Sequence, residues 1–443
     1  MLSPEQAGLL RPALQHAIYA DVDSHLRRLR PPLDLAAVFH GPASARVAHR
    51  GAGSADTVAE SSAGSAVNVE RLTGDTPPLT ASQGSGLIWI SAGPSGCNQE
   101  DESACRLYVI QWNFNTGTGR AYLELDETAS GVSVVQAAVN DGQRYLSVVE
   151  QVYDGSGAHT ESRLVVVDRV TNAKHTPVSE SGGQLWPQFP NFYSYNSVLF
   201  HRGGKVGGVT MPTLYSIARN PDYSTVTEKA RLGPASATLT VRSFQDANTH
   251  QAPNYGGAVP GERMIVSFGK EDTGALPHPQ VHTRDGTTLQ PFLRDSEEQT
   301  CQHPAWNVTG DRILCTMQEP KDKSVAPPRR ALVGYFWNGT NWEAEASALF
   351  AAISPSSVSG LDVADCELVT YKYGEFCLSD DYVVFTIFCS SGDSVTASRV
   401  MLLQLSTELK WDLTTLVEEL EGVGEGAWQG QYSTCSGAKL DAQ

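Results

Sequence analysis

The sequence predicts an all-β protein, a β-propeller of about six four-stranded blades (seven if the termini add a degenerate one), preceded by an N-terminal helix. Three observations predict it. Apolar runs of strand length recur along most of the chain. A hairpin phrase of strand, Gly/Asp turn and second strand recurs with them, at intervals too long for a solenoid. Charged residues are only 18%, with 40 Gly and 24 Pro, a balance that suits many short strands joined by turns.

Residues 3–29 read as the helix. Ser3 caps it, Pro4 suits its first turn and Gln6 completes a capping-box spacing. Leu10, Leu14, Ala17, Ile18, Val22 and Leu26 share one face, and Arg30-Pro31-Pro32 ends it. Such a stripe is expected to dock against a domain. Residues 1–50 are thus a helical extension and residues 51–78 a Gly/Ala/Ser-rich linker. The propeller spans 79–443.

Within it, the second strand of each phrase is strongly apolar: Leu87–Ile90, Tyr145–Val149, Val198–Phe200, Met264–Val266, Ile313-Leu314 and Val383–Phe388. A third strand follows each, beginning near residues 107, 164, 214, 281, 332 and 401, with the one at Val281-His282 weak. The steps are roughly 50 to 70 residues, near the size of a propeller blade. Asn338-Gly339-Thr340 before Trp342 is a hairpin turn. The phrase Ala427–Tyr432 is expected to supply a closing strand beside residues 79–90.

The eight cysteines lack any Cys-x-x-Cys spacing, which favours disulfides over zinc and over buried thiols. Cys97 and Cys105 bracket a polar loop. Cys301 and Cys315 lie almost symmetrically about the Val308–Gly310 turn, where a hairpin brings them opposite each other. Cys366, Cys377, Cys389 and Cys435 allow three pairings. Disulfides imply an extracellular or periplasmic protein, although Met1–Gln6 lacks the basic start and apolar run of a secretory signal. No run approaches the ~20 apolar residues of a membrane span. The net charge of -17 argues against nucleic acid and anionic membrane surfaces as partners and is ascribed to solubility.

The phrase His303-Pro304-Ala305-Trp306-Asn307-Val308-Thr309-Gly310-Asp311-Arg312-Ile313 resembles the Pro-x-Trp-Ser-Pro-Asp-Gly-x-x-Ile repeat of TolB-like propellers. Residues 136–145 are a shorter copy, and residues 373–382 a more distant one. In that family the motif is structural, its turn tightening a hairpin and its aromatic packing between blades. Members include protein-binding modules, propeller domains of serine peptidases and propeller-type polysaccharide lyases. No Gly-x-Ser-x-Gly elbow supports a peptidase, and the propeller fills the rest of the chain.

Propellers place ligand sites where first strands meet the central channel. Aligning the phrases on their turns puts Gln136, Trp186, Ala252, His303 and Tyr373 at equivalent positions, with Gln188, His250, Gln251, Tyr371 and Lys372 nearby. Such a ring suits a polar ligand or a divalent metal, though it lacks a carboxylate. The cofactor is left open. If the chain resembles the lyases in activity, His250 or His303 is the base and Tyr371 or Lys372 assists. Gln136, Trp186, Gln188, Gln251 and Tyr373 then bind the ligand. The competing expectation for His303 is architectural, as a hairpin cap or a bond to a neighbouring blade. The aromatic stretch Trp186–Tyr193 is assigned to packing between blades before sugar stacking.

No phosphate, dinucleotide or calcium loop is present. Asn307-Val308-Thr309 and Asn338-Gly339-Thr340 fit glycosylation sequons, both in turns, and matter only in a eukaryotic secretory route. The leading expectation is a secreted, disulfide-stabilised propeller that binds a protein or glycan through its channel face without chemistry. The alternative is a lyase cleaving a uronate polymer by β-elimination in that channel. A third, a subunit of an assembly, would have the channel plugged and the N-terminal helix docked on a neighbour.

Overall fold

Every predicted apolar run becomes an interior strand of a sheet in the computed structural model, antiparallel to the strands beside it. The structure describes residues 85–181 apart from 96, 98–101 and 141–142, and the strands between 185 and 291. It also describes residues 302–316, 329–344, 358, 361, 366–392 and 394–435, with short gaps at turns. From residue 201 to residue 302 only strand backbone is described. The expected N-terminal helix and the linker lie outside the described residues.

The first sheet contains β1 (Ser85–Gly93), β2 (Arg106–Asn113) and β3 (Thr118–Leu125). The second contains β4 (Val132–Val139), β5 (Tyr145–Tyr153), β6 (His159–Asp168) and β7 (Ala173–Ser181). The third contains β8 (Leu185–Ser194), β9 (Ser197–Val206), β10 (Val209–Thr210), β11 (Thr213–Ala218) and β12 (Lys229–Arg231). The fourth contains β13 (Ser243–Ala252), β14 (Gly261–Lys270), β15 (Ala275–Thr283) and β16 (Thr288–Pro291). The weak third strand of the sequence is therefore the full-length β15.

The fifth sheet contains β17 (Gln302–Trp306), β18 (Arg312–Thr316), β20 (Leu332–Trp337) and β21 (Trp342–Ala344). The short β19 (Arg329–Arg330) instead joins the sixth sheet, beside β22 (Leu368–Phe376), β23 (Tyr382–Ser391), β24 (Ser394–Gln404) and β25 (Lys410–Asp412). The chain then returns to the first sheet. β26 (Gln429–Cys435) pairs with β1 and becomes its innermost strand, so that sheet reads β26-β1-β2-β3. This is the closing strand expected from Ala427–Tyr432.

The innermost strands β26, β4, β8, β13, β17 and β22 each adjoin the next, and β22 adjoins β26. Sheets of mostly four antiparallel strands, radially packed and closed by a returning strand, make the fold a β-propeller. Closure also hides the strand edge that β1 would otherwise present.

Side-chain parity explains why the second strands are apolar throughout. In β1, Leu87 and Trp89 pack on β4–β6 residues such as Val134, Leu146 and Val165. Their neighbours Ile88 and Ile90 point the other way, onto Val384, Val400 and Leu402 of the sixth sheet. With another sheet on each side, both parities are buried, and alternation disappears. Burying one such side chain contributes roughly 1.5–3 kcal/mol. Phe192 joins the same kind of layer between the second and third sheets, with Tyr145, Val149 and Phe200.

The repeated turns are closed by asparagine. Asn140 Oδ1 accepts from the Tyr145 backbone N–H at 2.8 Å, and Asn307 Oδ1 from those of Asp311 and Arg312 at 3.0 and 2.8 Å. Trp306 stands edge-on to Trp342, with ring centroids 5.5 Å apart, inside the buried layer of its sheet.

Between β25 and β26 lies α1 (Leu413–Glu421), which the strand-based reading passes over. Asp412 caps it, Gly422 ends it in the left-handed region, and Leu413, Val417 and Leu420 fill the gap against the first sheet. Arg399 on β24 fixes it there. It bonds Asp412 at 2.8 Å and both oxygens of Glu418 at 2.8 and 2.9 Å.

The disulfides resolve the open pairings. Cys97–Cys105 forms as expected. Cys366 pairs with Cys389 inside the sixth sheet, and Cys377 with Cys435 between sheets. Cys315 is disulfide-bonded, while Cys301 lies outside the described residues. No helix among the described residues is long and apolar enough to cross a membrane.

Candidate functional site

A slip in the hydrogen-bond ladder marks every innermost strand. It falls at Gln431 in β26, Val135 in β4, between Gln188 and Asn191 in β8 and between Phe244 and Asp246 in β13. In β17 it falls at His303-Pro304, and in β22 at Tyr373-Gly374. A bulge of this kind re-aims a side chain, here in the wall of the ring.

Two bulges carry a strained backbone. His303 has φ of 49° and Tyr373 φ of 54°, values uncommon for large L residues. A Cβ on Gly374, the next residue in β22, would come within 2.7 Å of Leu332 Cδ1 and push that side chain aside. Proline at 304 supplies a fixed φ at the matching place in β17.

These distortions bring rings together. His303 stands edge-on to Tyr373, centroids 4.6 Å apart, and Tyr373 lies 5.3 Å from Tyr432 of β26. Phe388 closes behind Tyr373 at 6.0 Å, and the Lys372 ammonium sits 5.8 Å over the Phe388 ring. Tyr373 is buried, whereas His303 and Tyr432 are half-buried. The result is an aromatic strip across three successive innermost strands, with a polar edge at each end.

A second feature adjoins it. The Cys97–Cys105 loop carries Glu102, whose carboxylate accepts from the side-chain amides of Gln431 and Gln151. The Cys105 sulfur lies 3.3 Å from Gln431 Oε1, and the Gln431 carbonyl accepts from Thr386 Oγ1 at 3.2 Å. The loop is itself pinned to β4. Cys105 N–H donates to Ser133 Oγ at 2.8 Å, and Val134 N–H to the Cys105 carbonyl at 3.0 Å. Gln431 is thus a fixed polar group beside Tyr432.

Of the residues expected from sequence, His303 and Tyr373 are brought together. Gln136 is buried on β4, one residue beyond the slip. Tyr371 points the other way. It is 1% exposed, in the layer with Phe385, Ile387 and Val383, its ring 6.1 Å from Phe385. Trp186 and Gln188 lie on β8, with Trp186 opposite Gly203 and Gln188 opposite His201. His250, Gln251 and Ala252 end β13, opposite Arg263, Glu262 and Gly261. The slip of β13 lies near Gln245 instead, because its hairpin loop is longer and alignment on turns shifts the register. Side chains on those stretches of β8 and β13 lie outside the described residues.

Sequence reasoning missed Tyr432, Gln431 and Glu102. Tyr432 ends the closing phrase, which is not among the phrases aligned on their turns. Glu102 is distant in sequence, and only ring closure brings it to Gln431. Among the described residues no cluster of metal-binding side chains occurs.

No protein-family profile and no curated protein matches the chain. Solved structures do match at low identity. The β-propeller domain of the Trilobed protease from Pyrococcus furiosus is 11% identical, with a TM-score of 0.36, over 75% of this chain and 80% of that one. An oligogalacturonate lyase in complex with manganese is 13% identical, TM-score 0.37, over 65% and 71%. The Cps50 (Swd1) β-propeller domain of Myceliophteria thermophila is 9% identical, TM-score 0.36, over 74% and 88%.

Proposed function

We propose that this is an exported, disulfide-stabilised propeller, extracellular or periplasmic, that binds a protein or glycan partner at its channel wall and performs no chemistry there. The TolB-like resemblance of the His303–Ile313 phrase belongs to the same reading. One observation carries it: His303, Tyr373 and Tyr432 form a continuous strip on adjacent innermost strands, with His303 and Tyr373 at bulges of strained backbone. The half-buried rings of His303 and Tyr432 suit stacking on a sugar ring or an extended peptide. The disulfides support an oxidising compartment.

The lyase reading stands second. It needs a base and a carboxylate-neutralising group around one ligand, and the buried placement of Tyr371 removes that residue from the set. His303 and Lys372 then remain on the described wall. The two readings separate in one experiment. Oligosaccharide and peptide panels are titrated calorimetrically against the wild type and Tyr432→Ala, while absorbance of unsaturated products is followed on uronate polymers. Binding that Tyr432→Ala abolishes, with no unsaturated product, supports the first reading. Product formation lost in His303→Ala would sink it.

A further inference from the structure

We propose that Asn338, and not Asn307, accepts an N-linked glycan when the chain folds in a glycosylating secretory route. This rests on the reading that the protein is exported through an oxidising compartment. The sequence offers two sequons of the same Asn-x-Thr form, and the structure treats them oppositely.

Asn307 is consumed by its turn. It is 2% exposed, and its Nδ2 donates to Asp311 Oδ1 at 2.7 Å while its Oδ1 accepts two backbone N–H groups. Its own N–H donates to the Arg312 carbonyl at 3.0 Å. A glycan on Nδ2 would displace Asp311 and force a bulky polar group into a closed hairpin. A chain modified there cannot complete the fifth sheet as described.

Asn338 occupies the tip of the β20–β21 hairpin, and Asn338, Gly339 and Thr340 are all exposed. A Cβ at Gly339 would meet nothing within 4 Å, so the space around the tip is open. Asn338 Oδ1 accepts from the Thr340 N–H at 2.8 Å, holding the sequon in a compact turn with both side chains at the surface. Nδ2 also donates to the Glu343 carboxylate, a contact at an exposed site that water can replace.

The transfer needs a lipid-pyrophosphate-linked oligosaccharide as donor. Asn338 Nδ2 forms a bond to the anomeric carbon and gives up one proton. That carbon's bond to the pyrophosphate oxygen breaks, and lipid pyrophosphate leaves with the electron pair. The hairpin is the outer pair of its sheet, whose order is β17-β18-β20-β21. A glycan there leaves the innermost strands uncovered, in keeping with a binding wall inside the ring.

The full chain, given a secretion leader, is expressed in a eukaryotic host, and peptides of the secreted protein are mapped before and after glycosidase release. The Asn338 peptide is expected to carry glycan and to convert to Asp on release, with the Asn307 peptide unmodified. Asn338→Gln and Thr340→Ala should each abolish the whole glycosidase-sensitive mass. Should little protein reach the medium, the same peptides are read from the endoplasmic-reticulum fraction. An unmodified Asn338 peptide, or glycan on Asn307 in folded protein, overturns the proposal. Alkylation of free thiols in the same material reports on export separately: accessible thiols with an occupied Asn338 would contradict the oxidised fold but not the assignment.

Discussion

Cys377 and Cys435 are bonded across the ends of two innermost strands, β22 and β26, with Cα atoms 5.3 Å apart. The last strand of the ring is thereby tied to the sheet beside it as well as hydrogen-bonded to β1. Replacing both by serine is expected to cost about 2–4 kcal/mol, read from denaturant midpoints. Hydrogen exchange should rise first in β26. Unchanged protection there would show that pairing with β1 alone holds the ring closed.

Arg399 is 1% exposed and satisfies the buried Glu418 and the half-buried Asp412 at once. Arg399→Met leaves Asp412 and Glu418 without their cation, and should cost about 3–5 kcal/mol. Arg399→Lys keeps the charge but not the two-pronged bond to Glu418 and should fall between. A loss below about 0.5 kcal/mol for the methionine variant, within the range of an ordinary surface substitution, would mean that α1 is held by its apolar face alone.

Asp168 gives the fold an acid-sensitive point. Burial by itself would raise its carboxyl. The Arg144 guanidinium, 2.7 Å away, and the Val170 N–H outweigh that and hold it below the usual carboxylate range. A depressed pKa in the folded state adds stability above the unfolded value that is lost as pH falls through the folded one. Asp168→Asn should therefore cost about 1.5–3 kcal/mol at neutral pH. It should also flatten the acid limb of a stability profile. Parallel acid limbs in wild type and variant would refute this.

His303 allows strain to be separated from packing. Asparagine tolerates positive φ better than histidine and removes the ring that meets Tyr373. Strain relief of about 1 kcal/mol opposes loss of a ring contact worth about 0.5–1.5 kcal/mol. His303→Asn should thus unfold within about 1 kcal/mol of wild type while losing ligand affinity at the wall. A large stability loss with affinity intact would make His303 an architectural residue.

What the sequence exposes follows from which interactions are local. Val383–Phe388 and Leu87–Ile90 are legible because a strand packed on both faces must be apolar at successive positions. Cys97 and Cys105 are legible because they bracket a single loop. The partners of Cys366 and Cys377 are not, since Cys435 reaches Cys377 only when the ring closes. Helix α1 carried a readable signal in Asp412, Leu413, Val417, Leu420 and Gly422. Tyr371 and Tyr373 differ by two residues and should share a face, yet the bulge at Tyr373-Gly374 leaves Tyr371 in the core and turns Tyr373 to the wall. No residue pattern announces that slip.

The return of β26 to β1 sets an order on biosynthesis. On the ribosome the first sheet is made without its innermost strand, and the flank of β1 stays open until residues 429–435 emerge. Until then the nascent chain carries an unpaired apolar edge that a neighbouring chain could occupy. An oxidising folding compartment can lock Cys97–Cys105 early, but Cys377 must wait for Cys435, 58 residues further on. The protein is therefore most vulnerable to misassembly in the interval before residues 429–435 emerge, when helper proteins that shield strand edges would matter most.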